Sequence, residues 1–209
     1  MTRYRRVLLV PIATLLLAGC AATRQGRAPH DVLWRNLTAL CGKAYPGAVV
    51  EAPAGDTTFA GKALVMHVRA CGDSVIRIPF HVGANRSRTW VLTRTGTGLR
   101  LKHDHRHEDG SEDAVTQYGG DLRVPHAPGL FEFPADTLTA RLIPAARTNV
   151  WTVAVEPGER FVYALRREGT DRRFRIAFDL SRPIEIPPPP WGAGVVRIAQ
   201  PIRASTAAW

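Results

Sequence analysis

The chain has 209 residues, of which 45% are hydrophobic and 22% charged, and it carries a formal charge of +10 at pH 7. This length and composition fit one globular domain and exclude a chain that is disordered throughout. The charge alone does not indicate a nucleic-acid partner, because no segment combines a basic stripe with interleaved aromatic residues. We therefore predict no nucleic-acid partner.

The N-terminal segment has the order of a secretory signal peptide. Arg3, Arg5 and Arg6 precede an apolar run over residues 7–17. This run is about half the length of ~20 residues that a membrane-spanning helix needs. A basic start followed by a short apolar run indicates a signal peptide rather than a spanning helix.

The residues that follow this run are Leu17-Ala18-Gly19-Cys20. They resemble the lipobox of bacterial lipoproteins. The resemblance implies cleavage after residue 19 and attachment of diacylglycerol and a fatty acyl group such as palmitate to Cys20. Ala21 follows the cysteine, which in that family accompanies export to the outer membrane. An ordinary secretory signal with an incidental cysteine is the alternative.

Two further cysteines, Cys41 and Cys71, remain after Cys20 is acylated. Thiols tend to pair in an oxidising compartment, so we predict a Cys41–Cys71 disulfide. It closes a loop of about thirty residues and stabilises the fold by about 3 kcal/mol. Two free thiols or a metal pair are the alternatives, and the absence of a CxxC motif argues against the metal.

One short amphipathic helix opens the domain, and strands follow it. Apolar residues recur at helical spacing from Val32 to Cys41, with Asp31 as the predicted cap and Gly42 after the end. Alternation with period two then predicts strands. Their ranges are 64–68, 75–82, 88–95, 99–107, 148–155, 160–166 and 173–180.

Adjacent hairpins with one apolar face favour a mainly β fold. We predict an antiparallel meander whose strands close into a small barrel. The layout is similar to that of lipocalin-like barrels, and a β-sandwich is the alternative. We expect a signal peptide (1–19), a lipidated tether (20–29), a β-rich domain (30–182) and a Pro-rich extension (183–209). Residues 108–129 are predicted to form a long charged loop over one end of the sheet. Pro187 to Pro190 are predicted to form an extended strut or linker.

A dense run of ionisable residues extends from Lys102 to Asp113. If the strand continues past Leu101, then His103, His105 and His107 face the interior. Together with Glu112 or Asp113 they form a candidate site for a divalent transition metal or a polar ligand. The alternatives are a solvated loop and a hydrogen-bonded network that binds nothing.

Two other segments combine turn residues with arginine, tryptophan or tyrosine. Asn85 to Trp90 and Tyr118 to Asp121 are interpreted as turns entering strands, with Trp90 in the core. A basic hairpin tip is predicted further on, and it is a candidate contact for anionic lipid or lipopolysaccharide. A solvated face is the alternative. The tip consists of Arg166, Arg167, Arg172, Arg173 and Arg175.

Three classes of function follow from these features. We favour a periplasm-facing outer-membrane lipoprotein that acts as a small-ligand or metal binding module. An envelope assembly or structural factor is the alternative, and a metal-dependent hydrolase ranks third. The globular part also resembles secreted proteins of Gram-negative bacteria whose activity is unknown, and that resemblance implies no particular chemistry.

Overall fold

The structure is a computed structural model that describes residues 28–123, 127 and 129–193. The predicted signal peptide, the lipobox and Cys20 lie outside the described residues, as do residues 194–209. Within the described ranges, no helix is both long and apolar enough to cross a membrane.

The described residues form an antiparallel β-barrel of eleven strands. The bounds are β1 Ala44–Glu51, β2 Leu64–His67, β3 Ala70–Cys71, β4 Val75–Val82, β5 Asn85–Thr95, β6 Gly98–His105, β7 Tyr118–Asp121, β8 Leu130–Pro134, β9 Asn149–Glu156, β10 Arg160–Arg167 and β11 Arg173–Asp179. In spatial order the strands run β7-β6-β5-β4-β2-β1-β11-β10-β9-β8, and β3 pairs with β4.

The two ends of this sheet, β7 and β8, approach each other and nearly close the barrel. The backbone N–H of Arg123 donates to the carbonyl of Glu132, and that of Asp136 donates to the carbonyl of Gly119. The predicted barrel is therefore confirmed, and the alternative sandwich is not formed.

Period-two alternation places the apolar residues of the strands inside the barrel. Phe161, Tyr163 and Leu165 of β10 are all buried, and so are Ile176 and Phe178 of β11. The two strands pair with Phe161 opposite Phe178 and Tyr163 opposite Ile176. The strand pattern in the sequence thus predicted the inward faces of these strands correctly.

Helix α1, Pro29–Thr38, closes one end of the barrel. Its apolar face buries Leu33, Trp34 and Leu37 in the core. The prediction of a cap at Asp31 is wrong, because the helix begins at Pro29 without a side-chain cap. The Asp31 carboxylate instead accepts a hydrogen bond from Arg94 of β5 at 2.7 Å.

The predicted disulfide between Cys41 and Cys71 is confirmed. It links the segment after α1 to β3, and the two Cα atoms are 6.2 Å apart. The same end of the barrel is therefore held by both a covalent link and the buried face of the helix.

The sequence did not predict four strands, β1, β3, β7 and β8. In β1 the alternation is interrupted by Pro46 and Gly47, and a side chain at Gly47 would meet the ring of Phe178 at 2.6 Å. Strand β7 lies within the segment predicted as a loop excursion. Its Gly119 and Gly120 let β7 pass against the backbones of Leu101 and Pro134, where a Cβ would clash.

A short helix α2, Thr137–Leu142, and a 3₁₀ turn, Pro144–Ala146, lie between β8 and β9. The carboxylate of Asp136 caps α2 by accepting a hydrogen bond from the backbone of Thr139 at 2.8 Å. Since β9 begins at Asn149 beside the end of β10, this connection lies at the end of the barrel opposite α1.

The described part of the Pro-rich extension, residues 183–193, lies along the outside of the barrel as a strut. The backbone N–H of Ile184 donates to the carbonyl of Ala44, and that of Trp191 donates to the carbonyl of Arg86. Arg86 in turn donates to the carbonyl of Pro189 at 3.0 Å. Of the two interpretations of this segment, strut or linker, the structure has the strut.

Candidate ligand-binding site

A cavity of about 300 Å³ occupies the end of the barrel opposite α1. We call this cavity the barrel mouth. Its floor is Trp90, whose ring stacks on Tyr163 with centroids 4.3 Å apart and on Phe80 at 4.8 Å. The cavity reaches solvent, because its lining includes the exposed residues Thr58, Val115 and Arg172.

Aromatic rings form most of the wall of the barrel mouth. On one side the imidazole of His103 stacks on Tyr118 at 4.4 Å and lies 5.1 Å from Trp151. On the other side Phe59, from the loop between β1 and β2, lies 5.5 Å from Phe174. The cavity therefore offers flat apolar surfaces on opposite sides, to which a ring or a short alkyl chain can pack.

His103 is held in one tautomer by its two neighbours. Its Nδ1 lies 3.1 Å from the backbone carbonyl of Tyr118, and its Nε2 lies 2.6 Å from the hydroxyl of Tyr163. Because a carbonyl only accepts, Nδ1 carries the proton and donates, and Nε2 accepts from the Tyr163 hydroxyl. Both ring nitrogens of His103 are thus engaged within the protein.

His105 lies nearer the opening and pairs with a second tyrosine. Its Nε2 is 3.1 Å from the hydroxyl of Tyr118. Burial, followed by the nearby charge of Arg88, lowers the pKa of His105 to about 4. Burial lowers the pKa of His103 to about 3. Both imidazoles are therefore neutral at pH 7 and contribute no charge to the site.

The other residues of the predicted metal site do not complete it. The loop folds back, because the backbone N–H of Asp113 donates to the carbonyl of His105 at 3.0 Å, but the side chains are engaged in other contacts. Strand β6 ends at His105, so His107 is an exposed loop residue. Glu112 forms an ion pair with Arg106 at 2.9 Å, and Asp113 accepts from the backbone of Val115 at 2.7 Å. In the part of the chain that the structure describes, no three His, Cys, Asp or Glu residues are grouped so that they could hold a metal ion.

Three arginines bring positive charge to the barrel mouth: Arg88, Arg167 and Arg172. Arg88 donates to the side-chain oxygen of Asn85 at 3.0 Å, and Arg167 donates to that of Asn149 at 2.9 Å. Among the described residues, none of the three arginines forms an ion pair with a carboxylate.

The five arginines of the predicted basic hairpin tip are divided between two surfaces. Arg167 and Arg172 line the barrel mouth. Arg166, Arg173 and Arg175 line a second cavity, of about 500 Å³, on the outer face of β9, β10 and β11. Arg166 is paired there with Glu132 at 3.0 Å and with Glu168 at 2.9 Å.

Sequence reasoning identified two of the cavity residues, His103 and His105, and missed Arg88, Tyr118 and Tyr163 as part of the site. A usable signal was present for Arg88. It is two residues from Trp90, which was expected in the core, so period two places Arg88 on the same inward face. An arginine on the inward face of a strand is unusual enough to indicate a function.

Comparisons of the chain with protein-family models, with curated proteins and with solved structures found no match. What the barrel mouth does must therefore be argued from its own residues.

Proposed function

We propose that this protein is a small-ligand binding module and that its ligand occupies the barrel mouth. The observation that carries the proposal is the aromatic cavity of about 300 Å³ at one end of the barrel. Ligand pockets are concave, mainly apolar and supplied with a few converging polar groups, and they start at about this volume.

The packing around the cavity supports a preformed site. Trp90 is held between Phe80 and Tyr163, and the hydroxyl of Tyr163 is fixed by His103. Walls that are held by such contacts do not need to be ordered when a ligand enters. The entropic cost of binding is correspondingly small.

In this proposal the module is anchored to the outer membrane through Cys20 and faces the periplasm. The residues that support the anchor are Leu17-Ala18-Gly19-Cys20, with the lipobox resemblance described above. The expected result is that the full chain, expressed in a Gram-negative host, sediments with the outer membrane. Replacing Cys20 by Ala should release it to the soluble fraction, and sedimentation of both proteins with the membrane would contradict the anchor.

The binding proposal is tested with N-phenylnaphthylamine, a neutral aromatic probe, titrated into the purified protein. Proton–nitrogen correlation NMR reports the indole N–H of each tryptophan, and Trp→Phe variants assign the signals. Trp90 and Trp151 line the cavity, whereas Trp34 lies on α1 at the opposite end. We expect saturable shifts of the Trp90 and Trp151 signals and no shift of the Trp34 signal.

Two outcomes would contradict the binding proposal. One is that no indole signal moves at any concentration at which the probe is soluble. The other is that the Trp34 signal moves with the rest, because that pattern indicates partial unfolding or non-specific association rather than occupation of the barrel mouth.

A further inference from the structure

We infer that the barrel mouth selects small amphipathic anions, whose apolar body packs between the aromatic walls above Trp90 and whose carboxylate or sulfonate is held by Arg88. This inference rests on the proposed binding function and adds the chemical class of the ligand to it. Four features of the cavity support it: the direction of Arg88, the pairing of the polar groups, the net charge and the volume.

The register of the strands directs Arg88 toward the cavity. Arg88 of β5 lies opposite Phe80 of β4 and opposite His105 of β6. Phe80 is buried in the core and His105 lines the cavity, so Arg88 shares their inward face. Its guanidinium also acts electrostatically on Tyr118 and Tyr163, both of which line the cavity.

The polar groups that line the cavity differ in whether their hydrogen-bonding atoms have partners within the protein. The hydroxyl of Tyr163 and both nitrogens of His103 bond to each other or to the backbone. Arg88, by contrast, has five N–H donors. One of its nitrogens donates to Asn85, and no carboxylate among the described residues pairs with it. The N–H groups that have no partner among the described residues therefore belong to a cationic side chain, that of Arg88. Their planar arrangement matches the two oxygens of a carboxylate.

The lining of the cavity has a net positive charge. Three arginines, Arg88, Arg167 and Arg172, face one carboxylate, Asp56, and three minus one gives a formal charge of +2. Asp56 is engaged by its own loop, because it accepts a hydrogen bond from the backbone of Thr58 at 2.7 Å. Charge of one sign in a partly desolvated cleft attracts ligands of the opposite sign.

The volume restricts the ligand to a small free molecule. About 300 Å³ corresponds to roughly ten water molecules at their share of liquid volume, ~30 Å³ each. The two acyl chains of a phospholipid have roughly three times that number of carbon atoms and do not fit. An aromatic acid or a medium-chain fatty acid is of suitable size.

The test compares two probes that differ by a single charged group. Anilinonaphthalene sulfonate has the ring system of N-phenylnaphthylamine with an added sulfonate. Because this ring system is larger than the enclosed volume, part of it is expected to remain in the opening beside Thr58 and Val115. Both are titrated into the purified wild-type protein, the Arg88→Gln variant and the Arg160→Gln variant, and their fluorescence is followed. Arg160→Gln is the matched control, because it removes the same charge from an exposed arginine on the outer face, where Arg160 pairs with Glu156.

We expect the wild-type protein to bind the sulfonate more tightly than the neutral probe. Arg88→Gln should weaken sulfonate binding by about tenfold to a hundredfold, the loss typical of hydrogen bonds to a charged group. It should change binding of the neutral probe by less than about threefold, which also shows that the variant is folded. Arg160→Gln should change neither affinity.

The outcomes separate this inference from the binding function on which it rests. If both probes bind equally well and Arg88→Gln affects neither, the anion selectivity is overturned and the binding function stands. If neither probe binds, both are overturned. An Arg88→Lys variant gives a second check, because it should retain part of the preference for the sulfonate. Complete loss of that preference together with loss of the neutral probe would indicate a structural role for Arg88.

Discussion

Two arginines on the same face of one strand, Arg88 and Arg94 of β5, lie at opposite ends of the barrel and have opposite surroundings. Arg94 forms an ion pair with Asp31 of α1 at 2.7 Å and lies 4.6 Å above the ring of Trp34. Arg88 points into the barrel mouth and has no carboxylate partner among the described residues. A residue of α1 pairs with the first arginine, and in the proposed function the second binds the ligand.

The same difference holds for the two ends of the barrel as a whole. The end with α1 is closed by Leu33 and Leu37, which are fully buried, and by the disulfide. The open end is walled by aromatic rings and has three arginines that form no ion pair within the described ranges. We therefore expect substitutions at the closed end to affect stability, and substitutions at the open end to affect binding.

The largest effect is expected from Leu37→Ala at the closed end. Leu37 is fully buried, and truncating such a leucine lowers the free energy of unfolding by about 2–5 kcal/mol. Urea denaturation measures this change, and binding of the neutral probe to the folded variant should stay the same. The control is Val32→Ala on the exposed face of α1, which should cost less than about 0.5 kcal/mol. Equal losses in both variants would show that α1 is not docked.

Removing the disulfide should cause the second-largest loss of unfolding free energy. The loop between Cys41 and Cys71 spans 30 residues, so the double Cys→Ser variant is expected to lose about 3 kcal/mol of unfolding free energy. A reductant should lower the wild-type stability by the same amount and leave that of the variant unchanged. Identical stability of the oxidised and reduced wild-type protein would contradict a closed end held by this bond.

Acid should weaken the open end through its histidines. The folded-state pKa of His105 is about 4, below the ordinary value of about 6.5, so the unfolded chain binds the proton more tightly. Its effect on stability is absent above about pH 6.5 and grows as the pH falls from there toward 4.

We therefore expect His105→Gln to reduce the loss of stability between pH 7 and pH 5 by about 1 kcal/mol, a value reduced for partial solvent screening. Denaturation curves at the two pH values measure it, and His107→Gln in the exposed loop is the control. A steeper loss in the His105 variant would contradict a neutral, buried imidazole.

The smallest changes in the free energy of unfolding are expected for substitutions of the two arginines. Arg94→Gln removes the cation–π contact with Trp34 and should lower the free energy of unfolding by about 0.5–1 kcal/mol. Arg88→Gln removes no ion pair seen in the described residues and should change it by less than about 0.5 kcal/mol. If Arg88→Gln proved the more destabilising, Arg88 would be a structural residue like Arg94.

The sequence predicted the parts of the fold in which local pattern and tertiary packing agree. Strands β4 to β6 and β9 to β11 have regular alternation, so their positions and inward faces followed from period two. The disulfide followed from the number of cysteines and the expected compartment. The short β7 could not be predicted this way, because Gly119 and Gly120 have no side chains to alternate and are required by contacts with distant backbone.

The candidate site could be predicted only in part for a related reason. His103 and His105 were placed correctly on the inward face of β6. Their partners, Tyr163 and Tyr118, come from other strands, and the spacing within one strand gives no information on which residues meet across a barrel. The metal interpretation required a carboxylate from Glu112 or Asp113. The loop does fold back to His105, but the Glu112 carboxylate pairs with Arg106 and the Asp113 carboxylate accepts from the backbone of Val115.

The most direct test of a ligand site in the barrel mouth is a crystal structure of the protein with anilinonaphthalene sulfonate. The ring system is expected between the walls formed by Tyr118 and Phe174, with a sulfonate oxygen about 3 Å from the guanidinium of Arg88. A sulfonate bound instead on the outer face beside Arg173 and Arg175, with the barrel mouth empty, would contradict the assignment of the ligand site.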